Sequence, residues 1–196
     1  GLKLAAAGAL EAERLRIDAA KVSLRGAGEV GLRAVVARPS WHVDSASFDT
    51  GVLRLKPLAD LLLAPLLQQA GAPKLVVDGG LRASGVLGAQ GLTALDLDLD
   101  GVAVAEGGQR FGVEKVSGPL RWRSDALTEG RLAVGGAFVD KLPLGGFDLP
   151  WRAQGMSFAV PRVDIPVLDG RLRIEGLRAA RESDEWQWEF GGALEP

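Results

Sequence analysis

The chain has 196 residues, 47% hydrophobic and 24% charged, with a formal charge of −2. That length is enough to bury about 70% of the unfolded surface, and its scattered, nearly balanced charge offers no basic run to track phosphates, which excludes nucleic acid as an expected partner. Cysteine and tyrosine are absent and His42 is the sole histidine, so neither a histidine-activated nucleophile nor a transition-metal centre is expected, and no enzyme activity, cofactor or metal is assigned.

Glycines punctuate short apolar-alternating runs, the pattern of a long antiparallel meander. In the first third, strands are expected at residues 9–18 (ALEAERLRID), 19–28 (AAKVSLRGAG), 29–38 (EVGLRAVVAR), 41–50 (WHVDSASFDT) and 51–57 (GVLRLKP). Leu15 and Ile17 alternate with Arg14, Arg16 and Asp18, so one face is apolar and the other wet. Alternation places His42 and Asp44 on one strand face, within reach of an ion pair or hydrogen bond. Residues 57–70 (PLADLLLAPLLQQA) break the period of two. Proline stands at a first-turn position and Gly71 follows, which predicts a helix. Pro65 should kink or split it, and its apolar residues go round most of the circumference, so it should be largely covered against the end of a sheet.

Strand patterning resumes after residue 74 and runs to the end of the chain. Residues 96–107, DLDLDGVAVAEG, approach a calcium-binding EF-hand loop, with Asp96, Asp98, Asp100 and Gly101 in the right order. Glu106 falls one place short of the closing position, and the glycine-rich flanks are poor helices. The expected structure is a strand with Leu95, Leu97 and Leu99 on its apolar face, turning at Asp100–Gly101 into the next strand, since Asp-Gly between alternating runs is a hairpin signal. In FGVEKVSGPLRW the apolar set changes parity after Val113, which predicts a bulge near Glu114 and Lys115. Trp186, Trp188 and Phe190 alternate with Glu185, Gln187 and Glu189; an aromatic row of this kind is expected to be core or groove lining. GGLRASGVLG lacks the strand, GxGxxG and helix order of a dinucleotide site.

FGVEKVSGPLRW, LPLGGFDLPWRAQG and VPRVDIPVLDGRLRIEGLRA together resemble the C-terminal repeats of the AsmA-like and YdbH-like bacterial envelope proteins, over residues 75–196. The resemblance implies a mainly β, strongly curved antiparallel sheet folded into a trough (a taco-like half-barrel), with one short helix near residues 57–70. It also implies a periplasmic module, tethered to the inner membrane through segments outside this sequence, that conducts phospholipid between membranes. A single elongated β domain is expected, subdivided as 1–56, a helix at 57–71, and 72–196. It is read as a fragment of a longer chain, because Met does not begin it and no stretch approaches a spanning helix.

An apolar face that lacks a second layer suits acyl chains, which need area and no specific hydrogen bonds. The residues nominated to line it are Leu95, Leu97, Leu99, Val113, Leu120 and Trp122, and beyond them Phe158, Leu172, Ile174, Trp186 and Trp188. The expected partners are a phospholipid or other acyl-chain ligand and an envelope protein bound by edge-strand pairing. The alternative is a structural or interaction domain of an envelope assembly or secretion machine, with a dry closed core.

Overall fold

Alternating side chains and frequent glycines produce strands nearly everywhere. A computed structural model of the chain describes residues 2–38, 40–69, 74–182 and 185–195. The strands are β1 (Leu2–Leu10), β2 (Arg14–Leu24), β3 (Gly28–Ala37), β4 (Val43–Thr50), β5 (Leu53–Arg54), β6 (Leu75–Gly88), β7 (Gly91–Glu106) and β8 (Phe111–Arg123). They continue as β9 (Thr128–Val134), β10 (Gly136–Val139), β11 (Leu142–Leu144), β12 (Phe147–Gln154), β13 (Ser157–Val167), β14 (Gly170–Glu182) and β15 (Glu185–Glu195). All belong to one antiparallel sheet of 15 strands that curves into a partial ring without closing as a barrel.

The topology is a meander in which strands pair with their neighbours in sequence. β8 pairs with β10 along its first residues and with β9 at Ser117–Ala133. β13 meets β12 at one end and β11 at the other. β9 and β10 are therefore two halves of one arm bent at Gly135, and β11 and β12 two halves of the returning arm, bent at Gly145–Gly146. A Cβ at Gly146 would lie 3.1 Å from the carbonyl oxygens of both Val134 and Gly135. The two bends nest only because no side chain stands between them. Register shifts at Ala7/Gly8, Ile17/Ala20, Asp78/Gly80 and Glu175/Arg178 add further curvature.

Between β5 and β6 the chain forms α1 (Leu55–Leu58), a π-helical turn (Ala59–Leu63) and α2 (Ala64–Gln69). Pro57 sits in the first turn, where its missing N–H costs nothing. Pro65 splits the segment as expected, and the widened turn directly precedes it, where the ring would otherwise crowd the carbonyl four residues back. The helix starts two residues earlier than predicted, and its expected end at Ala70–Gly71 lies outside the described residues. It is less covered than expected: Ala59 is buried, but Leu61 is 56% exposed, because this short excursion meets only one flank of the sheet.

Four strand expectations require correction. The strand expected at residues 51–57 is only Leu53–Arg54, because the helical segment begins at Leu55. Residues 9–18 are not one strand: Glu11–Glu13 turn the chain from β1 into β2, with Leu10 opposite Leu15, and β2 runs on through residues 19–24. The turn lacks glycine, proline and asparagine, so composition gave no sign of it. Asp100–Gly101 is not a hairpin, for β7 runs through it unbroken. Gly101 takes a φ of 61° inside a bulge between Leu99 and Val102, and its N–H donates to Ser117 Oγ at 2.9 Å. A bulge and a tight turn need the same left-handed residue, so the dipeptide signals both. His42 precedes β4 rather than lying in it, and Asp44 pairs with Arg14 at 3.9 Å, not with His42. The bulge expected near Glu114 and Lys115 is present: Val104 opposes Val113 and Val102 opposes Val116, with Lys115 at a φ of 53°.

Burial is unevenly distributed. In one cluster Leu132, Trp151 and Ala153 pack with Leu99, Val116, Leu120, Trp122, Leu149 and Phe158. In the other, Val160, Val163 and Ile165 pack with Leu144, Phe147, Leu172, Ile174 and Leu177. Trp151 is 1% exposed. Among the described side chains up to residue 69 the buried apolar ones are Ala20, Ala27, Ala34, Leu53 and Ala59, mostly too small to anchor a core.

Candidate functional site

Strand register gathers the apolar side chains into rows that cross the sheet. One row runs Ala6, Ala20, Leu32, Phe48, Gly85, Leu95 and Trp122, from β1 to β8. A second runs Val77, Val104, Val113, Ala137, Leu144 and Val167, from β6 to β13. Leu97 faces Ala83 and Leu120, and Leu99 faces Leu81. Phe158, Ala179 and Trp188 continue the same face to the edge strand β15. The nominated residues thus share one face of the sheet, the concave one on which both clusters lie.

They do not share one environment. Leu95, Leu97, Leu99, Val113, Leu120, Trp122, Phe158, Leu172 and Ile174 are half-buried. Leu99, Leu120, Trp122, Phe158, Leu172 and Ile174 pack against the two clusters, so over the C-terminal half the face closes on itself. Trp186, Trp188 and Phe190 are 50%, 68% and 72% exposed, so of the two expected roles, core or groove lining, the row is not core. Among the described residues β15 pairs only with β14, so the rings, 6.5 Å apart, stand at the rim of the sheet. On β1–β3, Leu2, Leu4 and Leu10 at the opposite edge and Leu32 within the sheet are exposed as well. None of these N-terminal residues is among those nominated above, although the alternation of Val22 and Leu24, and of Val30 and Leu32, carries the same signal as Leu95, Leu97 and Leu99.

Three aromatic rings on this sheet lie across a glycine on the neighbouring strand: Phe48 over Gly85, Phe138 over Gly112 and Trp151 over Gly130. A Cβ at Gly130 would come within 2.6 Å of Trp151 Cζ2. Each glycine lets a ring lie flat on the backbone, covering ladder that would otherwise be bare.

The other face is polar and laced with cross-strand ion pairs. Asp96 and Asp98, which suggested a cation loop in sequence, accept from Arg123 at 2.7 Å and Arg121 at 2.6 Å. The hydrogen bond from Arg123 holds the Asp96 carboxyl below the usual carboxylate range. Asp164 is lowered by Arg173 and, secondarily, by Arg162. Glu106 is buried and closes the β7–β8 turn, accepting from the backbone N–H groups of Arg110 and Gly108 at 3.2 and 2.9 Å and from the Arg110 guanidinium. Its pKa is lowered, chiefly by the Arg110 N–H. Its role is to cap a turn.

Among the described residues no group of three or more His, Asp or Glu side chains is placed to hold a metal ion, and no helix is long and apolar enough to cross a membrane. Comparison with protein-family models, curated proteins and solved structures returned no match.

The surface area expresses the same geometry. The chain exposes 12631 Å², about 40% more than the roughly 8,900 Å² of a compact monomer of its mass. An open curved sheet with one face uncovered has this excess.

Proposed function

We propose that the chain is a lipid-binding module of the bacterial envelope, its concave apolar face holding the acyl chains of phospholipid, as part of a bridge that conducts lipid between membranes across the periplasm. The observation that carries this reading is the continuous apolar face from β1 to β15, closed over the C-terminal half and uncovered at both edges. Acyl chains fit it chemically, because the face presents area without convergent polar groups. The resemblance to AsmA-like and YdbH-like proteins points the same way, and it motivates the periplasmic location and the inner-membrane tether. The reading assigns no reaction to any residue.

Native mass spectrometry of the protein purified from bacterial membranes tests it, with bound phospholipid as the expected result. Photocrosslinkers at Leu32 and Trp188, on the uncovered parts of the face, should capture lipid, and one at Arg82 on the polar face should not. Equal capture at all three positions, or none, would sink the proposal.

Among the described residues the outer edges of β1 and β15 carry no partner strand, which favours a second reading, an interaction domain that receives a strand from another envelope protein. It predicts a crosslink to protein at β15 with no lipid at Leu32.

A further inference from the structure

A concavity of about 720 Å³ lies at one rim of the sheet, where β1 begins, β2 turns into β3 and β5 crosses behind. Its apolar wall is Leu2, Leu24, Ala27 and Val52. Leu2 and Leu24 oppose each other and Leu24 opposes Gly28, so this wall is the last row of the concave face. The turn is firmly held: Ala27 is 3% exposed, its N–H donates to Leu24 O, and its carbonyl accepts from Arg54 N–H at 2.7 Å.

Charge at this rim is one-sided. Lys3, Arg25 and Arg54 all line the concavity, and none of them makes an ion pair among the described residues. The only carboxylate in the lining, Glu29, is occupied by Lys21 at 2.5 Å and by Ser23 Oγ at 2.9 Å. Lys56 lines the adjoining hollow with Arg54, and there Asp78 accepts the N–H of Gly79. Elsewhere Arg121, Arg123, Arg131, Arg152, Arg162 and Arg173 are each paired with a carboxylate on the neighbouring strand, whereas here three cations stand together without one.

We infer that this concavity binds the phosphate of an anionic amphiphile, with Lys3, Arg25 and Arg54 on the phosphate oxygens and Leu2, Leu24 and Val52 under the first carbons of the tail. Guanidinium forks match phosphate geometry, and charge-assisted hydrogen bonds of this kind are roughly twice as strong as neutral ones. The tail half of the inference rests on the lipid reading proposed above; the phosphate half does not. A phosphate held here fixes which end of a lipid stands at this rim.

The test uses the whole chain and three probes: a short-chain phosphatidylglycerol below its micelle concentration, the diacylglycerol with the same chains, and inorganic phosphate. Amide chemical shifts of Ala27 and Gly28 report occupancy, and titration reports affinity. Phosphatidylglycerol should move both amides and bind about tenfold more weakly to R25Q/R54Q, while diacylglycerol binding is unchanged. A control that removes the same charge elsewhere, K141Q/R171Q, should behave as wild type, and an unchanged near-ultraviolet spectrum shows that each variant is folded. Phosphatidylglycerol binding that leaves both amides unmoved, or a preference for it over diacylglycerol that survives in R25Q/R54Q, overturns the site and leaves the lipid reading standing. Inorganic phosphate moving the same amides, with neither lipid bound, supports the anion site and overturns the lipid reading. No response to any probe overturns both.

Discussion

Single residues decide how closely the strands of this sheet pack, and the aromatic–glycine pairs make that testable. Gly130→Ala pushes a methyl group into the Trp151 ring, so it should destabilise by about 1–3 kcal/mol in urea unfolding. Trp151→Ala alone should cost about 3–5 kcal/mol. In the Trp151→Ala background the alanine at 130 meets no ring, and its cost should fall towards zero; additive costs in the double-mutant cycle would refute the contact. The pairs were hidden in the sequence, because a glycine announces freedom of backbone and not the ring across from it. The lowered carboxyls of Asp96, Glu106 and Asp164 fix the response to acid. A depressed folded pKa means that the unfolded chain takes up the proton first as pH falls. Their contribution is complete above the unfolded values, near 4 on a rough scale, and is lost as pH falls through the folded ones. The urea midpoint should hold between about pH 7 and 5 and decline below about pH 4, and Asp96→Asn should make that decline shallower.

At the scale of elements, the alternation that was legible in sequence located most of the strands and the bulge at Lys115, but it could not tell where strands stop. Gly101 shows why. Its φ of 61° is the property that the sequence advertised, and whether such a residue turns the chain or bulges it depends on a partner strand that lies elsewhere in the chain. A Cβ there meets nothing within 4 Å, so the cost of substitution is conformational alone. Gly101→Val should destabilise by about 1–2 kcal/mol and Gly101→Asn by clearly less, measured as a shift in the urea midpoint at constant slope. Equal costs would mean that crowding, not φ, governs the position. β11 and the second half of β13 form against the local signal. Prolines at 143, 161 and 166 argue against strands, yet the β13–β14 register steps from Val160–Leu177 to Arg162–Glu175 around Pro161 and Gly176. The proline falls opposite a glycine at a φ of 63°, so the missing donor coincides with a break in the partner. The aromatic row of β15 was expected as core or groove lining, and period could not choose between them, since it reports which residues share a face and not whether anything covers it.

For the whole molecule, the excess surface and the uneven core predict uneven stability. The extra exposed area leaves less to expose on unfolding, so the urea slope should be about a fifth lower than for a compact domain of this size. Hydrogen exchange should be fastest in β1–β4, where burial rests mainly on alanines, and slowest in β9, β12 and β13 around Trp151 and Val160. Bound phospholipid should slow exchange in β1–β4 more than in β12 and β13; equal slowing throughout would argue against occupancy of the open part of the face. The pairing of strands with their neighbours in sequence bears also on how such a protein is made. No strand waits for a distant partner, so the sheet can zip up hairpin by hairpin as the chain leaves the ribosome or a translocation channel. Until the next strand arrives, the growing edge is always the most recent one.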